Sequence, residues 1–180
     1  MRNSDKIVNL QGDISILKAD FMDRDAFKKF CDNLQTNLSN LKEICVTGYF
    51  SETIRAQLES IAQNGYYHIR IISPDFQVST PRDKKNVESL RKLAKAGIEV
   101  KFNYRLHARM LVARTPLTGL LLLGSFDFNT ECIGQERYDA GVKTNNPDLI
   151  HSAYSFFEQV WNDSETITLE QFLKEKRLAL

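Results

Sequence analysis

The chain has 180 residues, with 42% apolar and 26% charged side chains, proportions that exclude disordered and fibrous classes. Its 24 basic residues against 23 acidic ones give a net charge of +1, which excludes a global electrostatic attraction to a polyanion, so any anion-binding feature has to be local. Cys31, Cys45 and Cys132 are odd in number and lack the paired spacing of zinc or redox motifs, and they read as free thiols in a reducing compartment.

In chain order, the N-terminal "MRNSDKIVNLQGD" has no apolar core of signal-peptide length. "DISILKA" reads as a short strand, and Phe27, Phe30, Cys31, Leu34 and Leu38 recur at helical spacing across "RDAFKKFCDNLQTNL". "LKEICVTGYF" reads as a strand. A helix carrying Ile54, Leu58 and Ile61 follows and stops near Gly65, and then comes the β-branched run "YYHIRIIS". Thr80 is placed to cap a helix that starts at Pro81, faces Val87, Leu90 and Ala94 inward and ends at Gly97, after which "IEVKFN" is a strand.

"HARMLVAR" and "GLLLLGS" flank the turn sequence "TPLTG" and read as antiparallel neighbours. "LTGLLLLG" is too short to span a bilayer, so no membrane segment is expected and the protein reads as cytoplasmic. "YDAGVKT" is a further strand. Asn146 and Pro147 then open a helix whose stripe is Leu149, Ala153, Phe156, Phe157 and Val160, and Thr168 to Gln171 forms a capping box for a last helix. Strands and helices alternating in this way predict an α/β fold, a three-layer α/β/α sandwich with a mixed sheet. One domain over 1–180 is expected, with a core of about 12–163 and a C-terminal helix at 168–178.

Two stretches carry polar groups where the pattern asks for buried strands. In a strand His107 and Arg109 share a face, and so do Ser125, Asp127 and Asn129, opposite Phe126 and Phe128. Burying such groups without partners costs several kcal/mol, so they need one another, water or an anion. Taken alone, a histidine beside an arginine reads as a structural hydrogen-bonding group. His68 reads as structural and His151 as solvated surface. The run "PRDKKNVESLRKLAK" reads as a solvent-facing helix whose Arg82, Lys84 and Lys85 could extend a groove for nucleic-acid backbone.

The order of "HAR", "GSFDFN" and Glu136 resembles the phospholipase D superfamily, whose signature is H-x-K-x4-D followed by G-S-x-N. "LRKLAKAGIEVKFNYRLHARMLV" and "ERYDAGVKTNNPDLIHSAYSFFEQVW" are similar to the segments that flank those motifs, so the likeness covers about residues 12–163. The resemblance implies a phospholipase D-like fold and a metal-independent phosphodiesterase with no cofactor. In that family a neutral histidine attacks phosphorus to give a phosphohistidine, and a second histidine protonates the leaving oxygen.

Carried over to this chain, His107 would be the nucleophile or general acid and Arg109 the phosphate clamp. Ser125 would donate to the phosphate, Glu136 would orient the histidine, and Gly124 would permit close backbone approach. Because the chain has one such histidine motif, the resemblance implies a homodimer that shares one site. It favours a nuclease over a lipase, with Arg105 and Arg137 beside the groove for the flanking nucleic-acid backbone.

Three positions depart from the signature. Arg109 replaces lysine, Arg114 falls where aspartate belongs, and Asp127 stands in place of asparagine, with Asn129 able to supply the missing amide. An Arg109–Asp127 ion pair would reconcile two of these. The same departures support an alternative, a catalytically degenerate module for anion binding or dimerisation in a regulator or defence system.

Overall fold

The computed structural model describes residues 19–50, 52–64, 67–125, 128 and 139–178. The strand expected at "DISILKA" falls almost wholly outside them, as do Gly65, Cys132, Arg137, Asp127, Asn129 and Glu136. The first described strand is β1 (Ala19–Met22), followed by α1 (Arg24–Asp32), α2 (Leu34–Leu38), β2 (Glu43–Thr47) and α3 (Glu52–Gln63). Next come β3 (His68–Pro74), α4 (Pro81–Lys95), β4 (Glu99–Asn103), β5 (Arg109–Arg114) and β6 (Gly119–Gly124). The chain continues through β7 (Gly141–Thr144), α5 (Pro147–Trp161), β8 (Ile167–Thr168) and α6 (Leu169–Glu175).

The eight strands form one mixed sheet in the order β1-β7-β6-β5-β2-β3-β4-β8. β2, β3 and β4 are parallel, and the other pairings are antiparallel. Strand periodicity divides the core in two. Ile44, Val46, Ile71, Phe102 and Leu111 face α1–α4 and α6, while Cys45, Ile72, Met110, Val112 and Leu121 face α5. The sandwich expected from the sequence is the one observed.

Local chemistry explains the helix ends. Thr80 and Asp83 form a full capping box at α4, and Thr168 and Gln171 do so at α6. The Asn146 side chain accepts hydrogen bonds from two amides at the start of α5. Gly97, just past α4, has φ of +86°, which a side chain would strain.

Two expectations are corrected. The single helix over 24–38 is broken at Asn33, because Gln57 of α3 accepts a hydrogen bond from the Leu34 amide (3.0 Å) and donates to the Cys31 carbonyl (2.7 Å), satisfying the groups the break exposes. The buried stripe of α5 is Ile150, Phe157 and Trp161, while Leu149 and Phe156 are exposed. The helix turns its aromatic face onto Arg70 of β3, whose Cζ lies 5.2 Å from the Phe157 ring centroid and 5.3 Å from that of Trp161.

Candidate active site

The site residues gather where β5 begins and β6 ends. In the β5–β6 ladder Arg109 sits directly opposite Gly124, so the hairpin alone brings the histidine motif alongside the G-S motif. Ser125 extends the β6–β7 ladder by one residue, donating its amide to the Ala140 carbonyl at 3.0 Å. Phe128 is buried against Phe27 and Phe50, its ring stacked on Phe50 at 5.9 Å and lying beneath Gly48.

His107 lies in the turn before β5 and is exposed, not on a buried strand as the alternation suggested. The reason is how the local carbonyls are satisfied. The Thr47 hydroxyl donates to the Ala108 carbonyl at 3.0 Å, and Arg109 Nη1 donates to the carbonyls of His107 (3.2 Å) and Ala108 (3.4 Å). Side chains thus take acceptors that a strand ladder would otherwise use, and the chain is free to turn. His107 lines a cleft of about 190 Å³, with Leu106, Phe156, Gln159 and Asp163 among its walls.

Arg109 is half-buried on the α1–α4 side of the sheet. Its Cζ lies 5.1 Å from the Tyr49 ring centroid, a cation–π contact. Ser125 is exposed, and its hydroxyl donates to Asp139 Oδ1 at 2.8 Å while accepting from the Ala140 amide at 3.2 Å. Of the sequence-derived candidates, the structure brings together His107, Arg109, Gly124 and Ser125; Asp127, Asn129 and Glu136 lie outside the described residues. Asp139 and Tyr49 join the site through contacts that no motif announces. Asp139 is signalled only as a charged residue beside the strand that pairs with β6. Arg105, expected beside the groove, is held by Glu165 (2.7 Å) and by the Tyr104 hydroxyl (2.7 Å).

Arg114 explains one departure. It closes β5 opposite Glu43, bonds Glu43 Oε2 through Nε at 2.8 Å, and stacks on Tyr154 at 3.2 Å. An aspartate there would face Glu43 with like charge. The position is therefore part of a polar cluster at the end of the sheet away from His107. In that cluster Arg70 donates to Glu43 (2.9 Å), Tyr154 (3.0 Å) and Glu158, and Tyr154 donates to Glu43 (2.8 Å).

Burial alone would raise the Glu43 carboxyl, but hydrogen bonds from Arg114 and Tyr154 and the charges of Arg114 and Arg70 outweigh it, so Glu43 stays below the usual glutamate range. The Arg70 hydrogen bond holds Glu158 low as well. Burial, with bonds to Glu158 and Glu43, pushes the Tyr154 phenol up to about 12.

The chain is thus a mixed α/β/α sandwich in which a histidine precedes β5 and an arginine opens it, the arginine opposite the glycine of the G-S motif. Residues 38–161 match the family model described as "Cardiolipin synthase, PLD-like domain". The chain belongs to the phospholipase D superfamily.

Among solved structures it is similar to the phospholipase D family member Nuc from Salmonella typhimurium, at 14% identity and a TM-score of 0.65, over 84% of this chain and 96% of that one. NucT from Helicobacter pylori matches at 15% identity and a TM-score of 0.64, over 84% of this chain and 99% of that one. Phosphatidylserine synthase from Haemophilus influenzae Rd KW20 matches at 16% identity and 0.63, over 88% of this chain and 42% of that one. At these identities the likeness is one of fold. No curated protein sequence matches the chain. Among the described residues, no helix is long and apolar enough to cross a membrane, and no three His, Cys, Asp or Glu side chains cluster as metal ligands.

Proposed function

We propose that the chain is a metal-independent phosphodiesterase that cleaves nucleic-acid backbone through a phosphohistidine on His107, in a site completed by a second copy of the chain. The observation that carries the reading is the placement of exposed His107 and Ser125 and half-buried Arg109 at one end of the β5–β6 hairpin, with Arg109 opposite Gly124. The neutral His107 imidazole forms the N–P bond as the P–O bond to the leaving group breaks, and the second copy's His107 gives its proton to the leaving oxygen. Water then attacks phosphorus, the N–P bond breaks, and the water proton returns to that second histidine. Arg109 balances charge on the non-bridging oxygens, and Glu136 is proposed to orient the histidine.

Support for a second copy comes from the sheet. Phe21, Val142 and Leu123 are register neighbours across β1, β7 and β6, and all three are exposed on the α5 side, next to Gly124. We assign this row to the contact with a two-fold mate, because Leu123 adjoins Gly124, the residue opposite Arg109. The domain is proposed to act as one unit over its whole length.

The test is hydrolysis of single-stranded DNA, RNA and bis-p-nitrophenyl phosphate in excess EDTA, for the native chain and for His107→Ala, with mass measured by sedimentation. Chelator-resistant cleavage by a dimer, abolished in the variant, supports the proposal. A second reading, a non-catalytic anion-binding or dimerisation module, is favoured by the engagement of the Ser125 hydroxyl with Asp139. Phosphate binding without turnover in any substrate would establish it instead.

A further inference from the structure

Arg109 stands where the resemblance calls for lysine, and the structure shows what receives the larger head. Its stem crosses Gly48, where an added Cβ would lie 3.0 Å from Arg109 Cδ and 3.4 Å from Phe128 Cδ2. Gly48 also has φ of +139°, a conformation that side chains rarely adopt, so two independent constraints keep the position bare. Beyond Gly48 the guanidinium lies against the Tyr49 ring at 5.1 Å, and Nη1 is tied to the His107 and Ala108 carbonyls. Tyr49 is itself fixed edge-on by Phe76 at 6.1 Å. The ring and the carbonyls suit a planar fork better than an ammonium, which cannot stack flat.

We infer that Gly48 and Tyr49 form a seat that aims the Arg109 guanidinium at a phosphate group, making Tyr49 a positioning residue of the site. The inference rests on the phosphate-ester reading of the site and adds to it how the arginine is held. Pre-setting the guanidinium spares the ordering of a long side chain when the anion arrives. Tyr49 acts only through Arg109, and that sets the form of the test.

Two measurements on the full chain decide it. Inorganic phosphate is titrated calorimetrically into the native chain, Tyr49→Phe and Tyr49→Leu, and into each of these combined with Arg109→Ala, and the same set is unfolded in urea. Tyr49→Leu should weaken phosphate binding about fivefold, the scale of a partly exposed cation–π contact, and Tyr49→Phe, which keeps the ring, by under about twofold. In the Arg109→Ala background Tyr49→Leu should cause no further loss of affinity, and the two urea-midpoint shifts should sum to more than the double variant shows.

Additive midpoint shifts would overturn the seat. An equal phosphate loss from Tyr49→Leu with and without Arg109 would overturn the positioning role and leave a packing residue. Native chain that binds no phosphate, with the urea coupling intact, would instead sink the phosphate-ester reading and the aim of the seat with it.

Discussion

Replacing Arg70 by alanine tests the polar cluster under α5. The arginine is 6% exposed, donates to four side chains, those of Glu43, Cys45, Tyr154 and Glu158, and lies within cation–π range of Tyr154, Phe157 and Trp161. Glu43 would keep Arg114 and Tyr154, so the charge left without its main partner is that of Glu158. Breaking a buried pair from one side costs about 3–5 kcal/mol, and the part of Glu158 that meets solvent places this case near the lower end, at about 3 kcal/mol. With a urea dependence of about 2 kcal/mol per molar, the midpoint should fall by about 1.5 M. Circular dichroism is the proper probe, because Trp161 is the chain's one tryptophan and lies against Arg70. Adding Glu158→Gln to Arg70→Ala should recover part of the loss by removing the stranded charge. A loss below about 1 kcal/mol, the level of a solvated surface pair, would refute the account of a buried, interdependent cluster.

The carboxyls of Glu43 and Glu158 are both held below the usual glutamate range. Their contribution to stability is therefore complete above the unfolded glutamate value of about 4.3 and is lost as pH falls through the lower folded values. Urea midpoints from pH 7 to pH 3 should drop in the acid limb, and Glu158→Gln should flatten that drop; an unchanged slope would count against it. Burial pushes the thiols of Cys31 and Cys45 up to about 12. In a Cys132→Ser background neither should react with a disulfide reagent at pH 8 until urea is added, and rapid reaction of the folded protein would contradict their burial.

What the sequence disclosed follows from the range of the interactions involved. Caps at Thr80, Asn146 and Thr168 were legible because each is complete within three residues. The β5–β6 hairpin was legible because a turn as short as "TPLTG" joins antiparallel neighbours, while the register that sets Arg109 opposite Gly124 came from the structure. The break at Asn33 was not, because it depends on Gln57 from another helix. Of the expected α5 stripe Ala153, Phe157 and Val160 do pack on the sheet, while Leu149 and Phe156 lie outside it, because helical spacing allows two neighbouring faces and Arg70 beneath engages the one that carries Phe157 and Trp161. β8, two residues long, carries too little pattern to register.

In the site, residue types and their order pointed to His107, Arg109 and Ser125, but alternation placed His107 on a strand that begins only at Arg109. The contacts from Thr47, Tyr49 and Asp139 cross between separate elements, and no local spacing could encode them.

The two margins of the sheet are unequal. On one side β8 offers only Ile167 and Thr168, and Thr168 is already the cap of α6, so the helix begins before a further strand could find a register. On the other, β1 runs for four residues, and among the described residues no strand pairs along its outer side. Any extension of this sheet by a neighbouring chain is thereby refused at the α6 margin, where two residues are too few to template a strand.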